Sequence, residues 1–380
     1  MAHILRFNSL SSTKLKTLLT LLAITLGVSG CRHEAADVSH DAVMQAVRDY
    51  AREHAPSIVH ASNAATVPAV SELESYEVYD ARIAQLFEQG DFDQLDKEGR
   101  KIHAEKARVR GGGWKLNEYY VPLCHPGSSL SQLTDTDWKT HLNKIRDWKG
   151  KSPQSASARV ALACSYIGWA WMARGNGSAD TVTDVGWALF NRRIKMAENS
   201  LVEGATLEEK CPFWYYVMQN VAQAEGWSRQ DETVLFERAT SFEPGFYYYY
   251  QNHIEFLLPK WYGLEGEAQD FLNQATTNLP EPDGSILYFE LTKPLACGCG
   301  KVEDSLDGIS WPRVDEGYAN LERIYGVTNL KNNRYAYLAY AAGDKSAAAH
   351  AFTLIGDSPD PNIWRGREAF DGARAWALGN

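Results

Sequence analysis

The chain has 380 residues, of which 44% are hydrophobic and 23% charged, with a formal net charge of −10. That much apolar material builds a folded core and excludes a wholly disordered chain. An acidic chain without a basic stripe repels phosphates, which excludes nucleic acid as a partner.

Residues 1–30 contain Arg6, Lys14 and Lys16, no acid, and an apolar run from Leu18 to Leu26 that ends in Val28, Ser29, Gly30 and Cys31. This pattern reads as a signal peptide. Its apolar run falls short of the ~20 residues that span a bilayer. Val28 to Cys31 resembles the lipobox of bacterial lipoproteins, which implies lipid attachment at Cys31. Several acyl chains at ~0.8 kcal/mol per buried CH₂ anchor a chain stably, where one chain does not. Arg32 follows the cysteine in place of Asp, and by the same resemblance this implies an outer-membrane location facing the periplasm. The expected organisation is a signal at 1–30, a lipidated tether at 31–72 and a helical-repeat domain at 73–380. Within the tether Val43, Val47 and Tyr50 mark one short amphipathic helix.

Tyr76, Tyr79, Ile83, Leu86 and Phe87 form a helical stripe ending at Gly90, and a second helix is expected from Asp91 toward Arg110. Gly111, Gly112 and Gly113 then turn the chain. An irregular aromatic stretch is expected through Pro122 and Pro126, followed by a helix carrying Trp138, Leu142 and Ile145. The next helix has two apolar faces, Leu162, Tyr166, Trp169 and Ala173 beside Val160, Ala163, Ile167 and Ala170, which demands a central position. Phe190, Ile194, Ala197 and Leu201 stripe its return helix. Trp214, Val217, Val221 and Ala224 precede Gly226, and Leu235, Ala239 and Phe242 mark the partner.

The segment FEPGFYYYYQNHIEFLLPKWYG from Phe242 to Gly263 reads as one helix with Pro244 in its first turn and Pro259 at its end. Only Tyr248, Gln251, Asn252 and Glu255 are left outside its apolar arc, so the tyrosines serve as packing material with polar tips. Its partner spans about 265–278. Residues 283–291 fit a helix turn or a strand, and 295–307 reads as loop. Ala336, Gly343, Ala348 and Phe352, with Asp344 as cap, reproduce the spacing of a tetratricopeptide hairpin. The fold class is therefore all-α, a tetratricopeptide-like stack of helical hairpins, with an α/α toroid as the alternative.

AWMARGNGSADTVTDVGWALFNRR, CPFWYYVMQNVAQAEGW, FEPGFYYYYQ with LLPKWYG, and YAYLAYAAGDKSAAAHAFTLIGD together resemble the bacterial family catalogued as domain of unknown function 4034 over roughly Tyr76 to Trp364. The resemblance implies tetratricopeptide-like helices and carries no agreed activity or catalytic residues.

Candidate chemistry is sparse. Cys297 and Cys299, with Cys124 and His125, are the one conceivable zinc set, but Cys-x-Cys is not a zinc-knuckle spacing, and no metal or cofactor is expected. An odd set of five later cysteines, with Cys164 and Cys211, leaves at least one unpaired within the chain. The run at Gly111 to Trp114 lacks the Lys of a phosphate loop. His253 reads as a hydrogen-bonded core histidine, and Arg192 and Arg193 as a solvated edge. Two functions fit: a lipid-anchored module that binds a protein or peptide, neutral or basic given the acidic chain, or an all-α protein that binds or cleaves envelope glycans. The second would use sugar-stacking faces among Trp114, Trp138, Trp148, Trp169, Trp171, Trp187, Trp214, Trp227 and Trp261. Glu225 and Glu255 would be its candidate carboxylates. Without a recognisable catalytic constellation, the binding module is preferred.

Overall fold

The computed structural model describes residues 37–50, 69–127, 132–295 and 306–379. Among them are sixteen α-helices and no strand beyond one isolated antiparallel bridge between Arg108 and Trp114. The protein is an all-α stack of helical hairpins around one continuous apolar core.

Many helix starts are written locally. Ser75, Asp91, Thr134, Ser155, Thr183, Ser228, Thr328 and Asp344 each accept a hydrogen bond from the backbone N–H three residues on, relieving one orphan donor of the first turn. These caps open α2 (Tyr76–Gln89), α3 (Phe92–Ala104), α5 (Asp135–Lys151), α6 (Ala156–Arg174), α7 (Asp184–Ala205), α9 (Arg229–Phe242), α14 (Asn329–Ala341) and α15 (Lys345–Ile355). The remaining helices are α1 (His40–Asp49), α4 (Lys115–Cys124), α8 (Pro212–Glu225), α10 (Tyr248–Phe256), α11 (Glu267–Ala275), α12 (Asp283–Leu295), α13 (Trp311–Tyr325) and α16 (Arg367–Leu378). Helices α4, α6, α8, α10 and α12 pack in series, each on the next, and α14 joins them through contacts with α12. Consecutive helices pair as hairpins at α6–α7, α8–α9, α12–α13 and α14–α15.

Several expectations change. The helix of the expected tether is docked: Val43, Val47 and Tyr50 are buried, and Tyr50 stacks on Trp214 at 4.1 Å between ring centroids. Its hydroxyl accepts from the Cys211 N–H at 2.8 Å. Helix α3 stops at Ala104, well before Arg110, because Lys106 takes the left-handed conformation at φ 48°. The N–H groups of Lys106 and Ala107 then satisfy the carbonyls of His103 and Ile102, a Schellman closure with lysine in the place glycine usually fills. The stretch expected to be irregular is helix α4, with Pro122 tolerated in its last turns. Residues 283–291 fall in helix α12. Helix α10 begins at Tyr248, so Pro244 lies in the preceding loop.

Gly111 and Gly112 adopt φ of 85° and 77°, and the space around them explains why. A Cβ on Gly111 would lie 2.7 Å from Thr328 Cγ2, and one on Gly112 would lie 2.7 Å from Leu321 Cδ1. The Gly111 N–H donates to Tyr325 O at 2.9 Å, while Trp114 Nε1 donates to Gly245 O at 3.0 Å. Segment 107–114 thus ties the α9–α10 connection to α13 and α14. The early part of the chain closes onto its late hairpins.

Candidate functional site

The lipid-attachment candidate Cys31 lies outside the described residues, as do Cys297 and Cys299. Cys124 is bonded to Cys164, which takes its sulfur out of the conceivable zinc set. Among the described residues no group of three or more His, Cys, Asp or Glu side chains is arranged to hold a metal. Cys211 is free and buried, and burial pushes its thiol up to about 12, where it is no nucleophile. The His253 Nδ1 lies 2.8 Å from Glu232 Oε1 and its ring stacks on Phe236 at 4.1 Å, a hydrogen-bonded core histidine.

Arg192 is exposed as expected, but Arg193 is buried on the Trp169 ring, its guanidinium carbon 3.5 Å from the centroid. Its partner, Asp135, comes from another helix, so no local pattern announced the burial. Glu225 is held by Lys195 at 3.0 Å and Glu255 by Lys260 at 3.4 Å. Lys195 also pairs at 2.6 Å with Glu198, which is fully buried and pushed up to about 7 by burial, with Lys195 opposing and Glu225 reinforcing the rise. A sugar has no access to Glu198, so Glu198 cannot serve Glu225 as a second carboxylate across a glycosidic bond. Trp114, Trp138, Trp148 and Trp214 are core residues without a free face.

The site that the structure does assemble is built on the face of α10 that the sequence left outside the apolar arc. Tyr248, Gln251, Asn252 and Glu255 are half-buried there beside groups of α4, α8 and α12, which α14 joins through Glu290. From α8, the Tyr216 ring stands 6.1 Å from that of Tyr248, and both Asn220 Nδ2 and Asn252 Nδ2 donate to Tyr216 O, at 2.7 and 3.3 Å. From α12, the Glu290 carbonyl accepts from Gln251 Nε2 at 3.3 Å. From α14, Lys331 pairs with Glu290 Oε1 and also donates to Gly111 O, while Arg334 Nη2 donates to Glu290 Oε2 at 3.1 Å. From α4, Glu118 accepts from Asn117 Nδ2 at 3.1 Å. A methyl group on Gly113 would lie 3.4 Å from Glu118 Oε1 and 3.6 Å from the Tyr248 hydroxyl, which places those two groups side by side.

Electrostatics separate these groups into fixed and available ones. Burial alone would raise the Glu290 carboxyl, but Lys331 and Arg334 outweigh it and hold the pKa at about 2. Glu290 is therefore a permanent anion committed to two cations. Burial raises Glu118 despite Asn117, Lys331 and Lys293. Burial, Glu118 and Glu77 together push Asp80 on α2 up to about 7. Lys293 is exposed to water yet crowded by the wall, and this desolvation together with Arg334 lowers its pKa. It makes no ion pair among the described residues. The wall thus offers Lys293, Glu118, two tyrosine rings and the oxygens of Asn220, Asn252 and Glu255. It contains no serine, threonine or cysteine nucleophile, and burial raises the Tyr248 hydroxyl well above its ordinary value. Its chemistry is that of binding through mixed charge, amides and aromatic faces.

The wall was invisible in the sequence because its members come from five helices spread over more than two hundred residues. The one available signal was the polar sector of α10 itself, which faces the wall. No family model, curated protein or solved structure matches the chain. Among the described residues no helix is long and apolar enough to cross a membrane.

Proposed function

We propose that the protein is a lipid-anchored protein of the bacterial envelope, attached through Cys31, that holds an extended segment of a protein or peptide partner against this inner wall and has no turnover of its own. The observation that carries the reading is the convergence of polar, charged and tyrosine side chains from α4, α8, α10, α12 and α14 on one surface. Packed helices stand ~8–10 Å apart, and an extended chain advances ~3.3 Å per residue. Every third residue of a bound segment therefore meets the next helix. Amide side chains carry both a donor and an acceptor and so match a peptide group. Glu118, Glu255 and Glu290 stand against Lys293, Lys331 and Arg334, so the wall is balanced within an acidic chain, and Tyr216 and Tyr248 supply anchors of the kind that dominate peptide affinity. The resemblance to the family of unknown function names no activity, and the reading rests on the wall alone.

The test is a photoreactive amino acid placed at Tyr216 in the full chain in its native cell, with the same group at the outward Val185, which is 69% exposed. A discrete protein adduct from position 216 and not from 185 is the expected result. No adduct, together with glycan cleavage by the purified protein that disappears on Glu118→Gln, would replace the binding module with the glycan enzyme.

A further inference from the structure

A second site lies away from the inner wall, where α5, α6 and α7 line an open cleft of about 440 Å³. That volume falls within the range of small-molecule sites, ~300–1,000 Å³. Its apolar lining is Trp169, Met172, Ala173 and Leu189. The polar groups at its edge are unevenly satisfied. Asp135 is engaged at both oxygens: it accepts from Trp169 Nε1 at 2.8 Å, from Arg193 Nη2 at 2.9 Å and from Lys139 Nζ at 2.6 Å. Arg193 also donates from Nη1 to Trp169 O at 2.7 Å, but its Nε is buried without any acceptor although the residue is only 3% exposed. Beside it Arg192 lines the same cleft, exposed and without an ion pair among the described residues. Three cations, Lys139, Arg192 and Arg193, thus line the cleft with a single carboxylate, Asp135, which already pairs with two of them.

We infer that this cleft binds a carboxylate carried on a short apolar body, with the acid group at the exposed Arg192, in the field of Arg193 and Lys139, and the body against Trp169, Met172 and Leu189. The geometry fits both a medium-chain fatty acid and the apolar C-terminal residue of a peptide, which share this chemistry. Charge-assisted hydrogen bonds to the Arg192 guanidinium supply the preference for the ionised acid over a neutral analogue. The proposal is independent of the inner wall.

The experiment measures binding to the full chain held in lipid nanodiscs, with protein-free nanodiscs as the blank, by ligand-observed NMR titration. Octanoate and octanamide form one pair of probes, and N-acetyl-leucine and N-acetyl-leucinamide the other. At least one acid should bind about tenfold or more tightly than its amide. The stronger acid then identifies the source: octanoate an acyl chain, N-acetyl-leucine a peptide terminus. Arg192→Glu, at an exposed position without a partner to lose, should abolish the preference for the acid. Leu189→Trp, which fills the cleft, should remove binding of acid and amide alike while the thermal unfolding midpoint shows that the chain still folds. Equal binding of acid and amide, an unchanged acid affinity in Arg192→Glu, or no binding of either acid to the folded wild type would overturn the proposal.

Discussion

Replacing Glu290 by glutamine tests how the inner wall is held together. The carboxylate is 4% exposed and its two oxygens are divided between Lys331 and Arg334. Holding a carboxyl at about 2 against an ordinary 4.5 is worth roughly 3 kcal/mol of folding stability above pH 5. Removing one member of a buried ion cluster also leaves the others uncompensated, a loss of about 3–5 kcal/mol. The partners are not equivalent. One carboxylate is attracted by two cations, whereas each cation is attracted by one carboxylate and repelled by its neighbour. This is why Glu290 is stabilised as an ion while burial and Arg334 lower Lys331 despite Glu290. Lys331→Met should therefore destabilise less, by about 2 kcal/mol, because Arg334 still satisfies Glu290. The sign with pH follows from the depressed carboxyl. Its stabilisation is complete above pH 4.5 and disappears as pH falls toward 2, so the gap between wild type and Glu290→Gln should close over that interval. Urea unfolding followed by tryptophan fluorescence reads all three quantities. A Glu290→Gln loss under about 1 kcal/mol, or a larger loss in Lys331→Met, would refute the reasoning.

Cys31→Ala should abolish labelling by radioactive palmitate and release the protein from membranes; equal label in both proteins would end the lipoprotein reading. Non-reducing peptide mapping should recover Cys124 linked to Cys164, and breaking this bond, which spans 40 residues of sequence, should lower stability by roughly 4 kcal/mol in the chain-entropy account. Recovery of Cys124 joined to Cys297 or Cys299 would contradict it. Glu198→Gln should be stabilising at pH 8 and neutral near pH 4. A buried carboxyl raised from 4.5 to about 7 weakens the fold as pH rises through that range, and an amide does not titrate. A variant less stable than wild type at pH 8 would show that the Lys195 pair outweighs burial.

Elements with a strong local signal were legible. Gly90 and Gly226 take the left-handed cap their helices require, Asp344 caps α15 through its side chain, and the two apolar faces of α6 are buried as a central position demands. Helix α4 was hidden by competing signals. Leu116, Tyr119, Tyr120 and Leu123 carry the helical spacing, but three glycines before them and Pro122 among them argue for a loop. The proline survives because it lies in the last turns, and burial of Tyr119, Tyr120 and Leu123 outweighs one absent hydrogen bond. In α12 the run Ile286 to Phe289 is buried all round, so it shows neither period 2 nor period 3.6 and no periodicity argument could decide it. Arg193 was misplaced for a different reason. A charged residue beside another arginine reads as surface until a partner from a distant helix, here Asp135, is known.

The same limit explains the site. On α10 the sequence shows only that Tyr248, Gln251, Asn252 and Glu255 lie outside the apolar arc, and on an isolated surface helix such a sector faces solvent. In a stack of hairpins a helix packed on both sides has two polar destinations, bulk solvent and a wall shared with its neighbours, and sequence periodicity treats them alike. Closure decides between them. Gly111 and Gly112 permit the backbone approach to Thr328 and Leu321 that draws the early segment onto α13 and α14, and this brings Lys331 to the Gly111 carbonyl. Lys331 in turn carries Glu290 and Arg334 with it, opposite the hydroxyl of Tyr248 and the carboxyl of Glu118. The three glycines, which have no side chain to offer a ligand, therefore position the groups that do.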